Sequence, residues 1–166
     1  MHKKLLYLFI FLFCTYFIFL SFSRHDNFYS RRLDLGNMDQ TVWNVAHGNG
    51  FTLTDPEGES QQSRLAIHAD FLLILMAPLY FIWSSPKMLL LVQVLIVGLG
   101  AIPVYYLALE KLKSEKLSLL LALSYLMYPT IQRNMLHDFH AVALSTSFLL
   151  FAYWNMHRNR YFLFTV

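Results

Sequence analysis

Residues Leu5–Phe22 are 18 consecutive positions without a charge, placed directly after the basic stretch His2-Lys3-Lys4. A helix needs about 20 mostly apolar residues to cross a bilayer, so this run is the strongest single constraint on the fold. A secretory signal is the competing assignment. Its apolar core runs only about 7–15 residues and ends at a small-x-small cleavage site. Here Ser21-Phe22-Ser23-Arg24 follows instead. The run is therefore assigned as a first transmembrane helix, with His2, Lys3 and Lys4 on the cytoplasmic side. The whole chain agrees: 57% of residues are hydrophobic and 14% charged, too apolar for an ordinary soluble domain.

Three more runs have the length or character of spans: Met88–Leu109, Leu117–Ile131 and Ala141–Met156. Gly98 and Gly100 in the first of these allow close helix contact, and Pro103 is expected to bend it. A further apolar run begins at Tyr161 and stops at Val166, so the sequence reads as one membrane domain, 1–166, at the N-terminal end of a longer protein. One cysteine, Cys14, excludes an intrachain disulfide and a cysteine-based metal cluster. The net charge of +3 comes without a basic block, which argues against nucleic acid as a partner.

Between the first two spans, Leu35, Met38, Val42 and Val45 recur at helical spacing. Asn37, Gln40, Thr41, Asn44 and His47 fall on the opposite side. This predicts an amphipathic surface helix over about 34–47, with Asp34 at its start and Gly48 just past its end. Gly50–Gln62 reads as an exposed, turn-rich loop. Phe71–Trp83 has 13 apolar residues, about 20 Å as a helix, short of the roughly 30 Å hydrocarbon core. It either spans poorly or forms a second surface helix. If it does not cross, seven basic residues in short segments face inside: Lys3, Lys4, Lys111, Lys113, Lys116, Arg158 and Arg160. If it crosses, only Lys3, Lys4, Lys87 and Arg133 do. The positive-inside bias favours the first arrangement.

That topology puts all six aspartates outside, together with His25, His47, His68, His137 and His140. Asp34 is a candidate general base, with helix N-cap as its plain alternative. Asp34 and Asp39 flank the apolar stripe from opposite edges and are not expected to share a proton or a metal. His68 and Asp70 offer two ligands to a divalent cation if the local chain is extended, and otherwise form a polar helix end. His137 and His140 share a face if helical, Asp138 would cap the next span, Arg133 would hold a phosphate and the histidines and carboxylates a metal, while a cap with interfacial histidines explains the same residues equally well. Gln132–His140 is otherwise a polar loop. No P-loop, dinucleotide-binding glycine motif or nucleophile elbow is present in the sequence.

The strings Asp34-Leu35-Gly36-Asn37-Met38-Asp39-Gln40 with Trp43-Asn44, Ser63-Arg64-Leu65 with His68 and Asp70, Pro103-Val104-Tyr105, and Tyr128-Pro129 with Gln132, Asn134 and Asp138-Phe139-His140 resemble a family of predicted membrane proteins, domain of unknown function 2079. The resemblance runs from about Asp34 to the end. That family is in turn distantly similar to glycosyltransferases of the GT-C fold, which use lipid-phosphate-linked sugars on the external face. The resemblance implies an all-α, polytopic membrane domain with surface helices in its first outer loop. It implies catalytic roles for Asp34 and Asp138, substrate contacts from Asp39, Gln40, Arg133 and His140, and metal contacts from His68, Asp70 and His137. A polyprenyl-phosphate sugar donor, membrane lipid and a divalent cation are the implied partners, in a multi-pass plasma-membrane protein. Leu35 follows Asp34 where many such enzymes carry an Asp-Glu pair. The alternative is a non-enzymatic membrane protein, a transporter or structural component, but the spans hold no Asp, Lys or Arg of the kind a coupled transport pathway uses.

Overall fold

The computed structural model describes residues 1–30, 32–55 and 57–161, with the side chains of Arg32 and Leu33 outside that description. The start of a further span, expected beyond Tyr161, falls on 162–166 and lies outside the described residues.

Helix α1, His2–Asp26, contains the whole first apolar run. At 1.5 Å per residue it is about 37 Å long, enough to cross a bilayer. Leu6, Ile10, Phe13, Cys14, Phe17 and Ser21 form its buried stripe, yet Tyr7, Phe11, Tyr16 and Phe19 on its other faces are exposed. A helix that is apolar all round and packed on one side only is suited to lipid on the other.

The chain then forms a polar cap. A π-helical segment, Arg32–Gly36, runs directly into α2, Asn37–Ala46. Asp34 therefore lies inside a continuous helical stretch and not at its start, so it is not an N-cap. Gly48 does stand just past the end, at φ +76°, where a side chain is disfavoured. The apolar stripe Leu35, Met38 and Val42 is buried. Two short strands follow, β1 (Thr52–Thr54) and β2 (Gln61–Ser63), paired antiparallel with Leu53 opposite Gln62. The expectation of an all-α chain with a loop over 50–62 is corrected by this hairpin. The polar face of α2 explains it. Gln40 donates from Nε2 to Thr54 Oγ1 (2.7 Å) and accepts the Thr54 amide at Oε1 (3.0 Å), while Asn44 Nδ2 donates to the Thr52 carbonyl (2.9 Å). Residues i and i+4 on one helix face thus satisfy the strand edge. Asp55 closes the hairpin turn, accepting the amides of Gly58, Glu59 and Ser60, and the Ser60 hydroxyl holds its carboxyl below the usual range. Helix α3, Leu72–Tyr80, is only 9 residues, about 14 Å, too short to cross.

Helix α4, Pro86–Leu99, starts with Ser85 as N-cap and Pro86 at the first position, and continues past Gly100 into α5, Ala101–Leu112. Pro103 has no N–H for the Leu99 carbonyl and its ring crowds that group, so the helical hydrogen bonding is interrupted at Gly100. Together Pro86–Leu112 and α1 are the two helices among the described residues long and apolar enough to cross a membrane. Both glycines serve close contact. A Cβ on Gly98 would stand 2.6 Å from Cys14 Sγ, and one on Gly100 would strike Tyr125 Oη and stand 2.6 Å from Ser147 Oγ.

The next expected span, 117–131, is split. Helix α6 covers Glu115–Leu126 and α7 covers Pro129–Leu136. Pro129 forces Tyr128 into an extended conformation, which breaks the helix, and then opens the next one as its first residue. The stretch expected as a polar loop from Gln132 is helical to Leu136. Helix α8, Ala141–His157, matches the last expected run.

Polar pairs fix which helix ends meet. Lys87 Nζ lies 2.6 Å from Asp26 Oδ1, joining the start of α4 to the end of α1. The Ser21 hydroxyl donates to the Met135 carbonyl (2.6 Å), bringing α7 to the same end. At the opposite end His2 meets Glu115 (3.1 Å), and Glu110 meets His157 (3.5 Å) and Arg158 (3.4 Å). The cap of residues 27–85 therefore leaves and returns at one end, the acidic end, while the lysine-rich turn of 111–116 lies at the other.

Candidate functional site

Three separate pieces of chain converge at the acidic end: the helical entry carrying Asp34, the turn from Arg64 to Asp70, and the connector His137-Asp138-Phe139-His140 between α7 and α8. The connector is extended, with φ −88° and ψ 168° at His137 and φ −135° and ψ 118° at His140. His140, not Asp138, is the N-cap residue of α8. Asp138 is buried, as is Phe139.

A glutamine inside the long apolar helix holds this connector. Gln93 is 1% exposed; its Oε1 accepts the His140 backbone N–H (2.8 Å) and its Nε2 donates to the Asn134 carbonyl (3.0 Å). One buried amide thereby satisfies the end of α7 and the start of α8 together. The His140 ring is held as well. Its Nδ1 lies 2.9 Å from the Asp138 carbonyl oxygen, which can only accept, so Nδ1 carries the proton. In the neutral ring Nε2 then presents a lone pair, and it faces Asp34 Oδ1 at 3.9 Å. The ring of His137 lies 5.2 Å from that of His140, centroid to centroid. Donor atoms of Asp34, His137 and His140 all fall within 4.8 Å of one another, a geometry able to hold a metal ion.

The cluster sits between two cavities. One, of about 470 Å³, is lined by Gln93, Asn134, His137, Asp138, His140, Ser145 and Thr146 among others. The second, of about 260 Å³, is lined by Asp34, Asn37, Arg64, His68, Asp70 and His140 among others. A third and more apolar groove, about 760 Å³, runs between α6–α7 and α8 past Tyr125, Ile131, Leu149 and Tyr153. It shares Asn134, Ser145 and Thr146 with the first. The larger of the two cavities at the cluster therefore borders an apolar groove along the bundle.

The remaining expected residues have other surroundings. Arg64 is 3% exposed, and its Nε and Nη2 both donate to Asp70 Oδ2, the former at 3.0 Å. Asp70 is thus engaged by a buried guanidinium, and His68 is an exposed residue at the rim of the smaller cavity; neither joins the three-residue cluster. Asp39 accepts the Tyr80 hydroxyl (2.5 Å), and burial pushes its carboxyl above the usual range. Gln40 is committed to the hairpin. Arg133 is exposed and lines none of these three cavities. Two residues were not singled out by sequence reasoning. Gln93 had a signal, an amide side chain inside an otherwise apolar span. Arg64 stood only within the string Ser63-Arg64-Leu65 that carries the resemblance and was given no role, because nothing local distinguishes a buried arginine from a solvated one.

Helices of spanning length, apolar faces left outward and polar groups gathered at the helix ends define an integral membrane protein. The family described as predicted membrane proteins (DUF2079) matches residues 24–166, and the chain belongs to it. No curated protein and no solved structure matches the chain.

Proposed function

We propose that this chain is a GT-C-like glycosyltransferase module, multi-pass in the plasma membrane with its N-terminus cytoplasmic. It would take a sugar from a polyprenyl-phosphate donor on the external face. The observation that carries this reading is the shape of the site: a cavity lined by Asp138 and His140 borders, at Asn134, Ser145 and Thr146, an apolar groove, and His140 also lines the neighbouring cavity that holds Asp34. A ligand with a polar head and a hydrocarbon tail fits such a pair of spaces. The Asp26–Lys87 pair supports the sidedness, since it returns residues 27–85 to the end opposite the lysine-rich turn.

In this reaction the acceptor oxygen bonds to the anomeric carbon as the bond from that carbon to the phosphate oxygen breaks. Asp34 takes the acceptor proton as general base, and the electron pair of the broken bond leaves with the polyprenyl phosphate. Arg64 takes the role first given to Arg133. It lines the smaller cavity beside Asp34, held in place by Asp70, and its remaining N–H groups neutralise the leaving phosphate. Asp138, in the larger cavity, orients the acceptor.

The test uses membranes containing the full-length protein and a synthetic polyprenyl-phosphate hexose labelled in the sugar. Asp34→Asn is expected to lower transfer about 10²–10⁴-fold, the usual contribution of a general base, at unchanged protein level. Transfer by Asp34→Asn at the wild-type rate would eliminate this assignment.

A further inference from the structure

We propose that Asp34, His137 and His140 bind one divalent transition-metal ion of the zinc class. The inference goes beyond sugar transfer and holds whatever the chain's substrate is, with Asp34 giving the ion one carboxylate oxygen and keeping the other for a proton. Its first ground is the pairing of Asp34 with His140. With Nδ1–H donating to the Asp138 carbonyl, the ring in its metal-binding neutral form turns a lone pair toward a carboxylate oxygen 3.9 Å away. Two acceptors at that separation form no hydrogen bond with each other, and a cation between them satisfies both. His137 supplies the third donor, with all three donor atoms within 4.8 Å. Coordination at about 2.0–2.2 Å would draw them to roughly 3.4 Å apart, and the exposed ring of His137 has room to turn.

The second ground is how His140 is held. A metal-bound histidine ordinarily donates its other ring N–H to a carbonyl or carboxylate, which fixes tautomer and direction. Here the Asp138 carbonyl does this, and Gln93 fixes the backbone of the same residue from inside the bundle. The third ground is charge. At the other end of the molecule His157 and Glu110 are also close, but Arg158 Nε lies 3.4 Å from the same carboxylate and would repel a cation. At the acidic end the nearby guanidinium of Arg64 is answered by Asp70.

Two imidazoles and one carboxylate select among cations. Magnesium and calcium favour all-oxygen shells, whereas imidazole suits zinc, iron, nickel and copper. Three protein ligands also leave coordination positions open toward the cavities, the arrangement of a catalytic rather than a closed structural metal.

The experiment uses the full-length protein, purified without a polyhistidine tag, stripped with chelator and titrated with Zn²⁺. A single zinc ion per chain is expected to survive desalting, with two imidazole nitrogens in its X-ray absorption spectrum and no displacement by millimolar Mg²⁺. Asp34→Asn and His140→Gln should weaken binding by more than the about 10- to 100-fold that loss of an outer-shell partner costs. His68→Gln and His157→Gln should leave it unchanged. Absence of saturable binding, a spectrum with fewer than two imidazoles, or equal loss in His68→Gln and His140→Gln would overturn the site. Where a variant does not fold, the spectrum of the native protein decides alone. No sugar donor enters the measurement, so zinc binding without transfer counts against the transferase, and transfer without zinc binding counts against the metal site.

Discussion

At the basic end of the bundle His157 Nε2 lies 3.5 Å from Glu110 Oε2; at the acidic end His140 Nε2 lies 3.9 Å from Asp34 Oδ1. By distance alone the first is the better pair. The difference is in what surrounds them. His157 and Glu110 project from the last turns of α8 and α5, next to Arg158, and line none of the cavities described above. His140 is held through its ring and its backbone, and stands between two cavities. Proximity of an acid and a histidine is common at helix ends, where it adds little. A site needs the second layer that holds the ring still and a space in front of it.

The largest test of this contrast removes one carboxylate from each end. Asp70→Ala leaves the buried Arg64 guanidinium without its partner and is expected to cost about 3 kcal/mol, at the low end of the range for breaking a buried pair. Glu110→Ala at the basic end removes a partner of two exposed side chains and should cost about 0–1 kcal/mol. Thermal unfolding in detergent measures both, and equal losses would erase the distinction between the ends. Comparable in size is Gln93→Leu. It strands the His140 amide and the Asn134 carbonyl, each worth about 1–3 kcal/mol when left buried and unpaired. Faster hydrogen exchange at the His140 amide than at the amides of α6 would show that the glutamine holds the connector; unchanged exchange would show that it does not.

The smallest effect concerns Asp39, which shares the acidic end but not the site. Burial raises its folded-state carboxyl above the ordinary value of about 3.9. The folded protein therefore binds this proton more tightly than the unfolded chain. The stability this contributes is fully present below about pH 3.9 and is lost as pH rises through the raised value. Asp39→Asn keeps an acceptor for Tyr80 and removes the charge, so it should be at least as stable as wild type near neutral pH and lack the decline over that interval. A melting profile against pH reads the difference. Destabilisation at neutral pH would mean that the charge itself, and not the hydrogen bond, holds α2 to α3.

Much of the architecture was legible in the sequence because hydropathy and periodicity are local. The runs at Leu5–Phe22, Met88–Leu109 and Ala141–Met156 became helices, Phe71–Trp83 gave a helix too short to cross, and Gly98, Gly100 and Pro103 acted as their chemistry required. The split at Tyr128-Pro129 was readable in principle, since a proline restricts its predecessor wherever it stands. The hairpin was not. Its strands are three residues each and depend on Gln40 and Asn44 for their edge.

The candidate site divides the same way. Residue types at the acidic end were evident, because charge patterning assigns sides to loops. Which of them meet was not evident. Asp34 and His140 are far apart in the chain and meet only in the folded molecule, where Gln93 holds the backbone of His140. His68 and Asp70 are two residues apart yet part company, because a buried arginine takes one of them and solvent the other. The linear chain thus determined a membrane-spanning helical protein with its polar groups gathered at helix ends. The folded molecule alone decided which polar groups bind each other and which are left facing a cavity, since each pairing depends on backbone brought together from distant parts of the sequence.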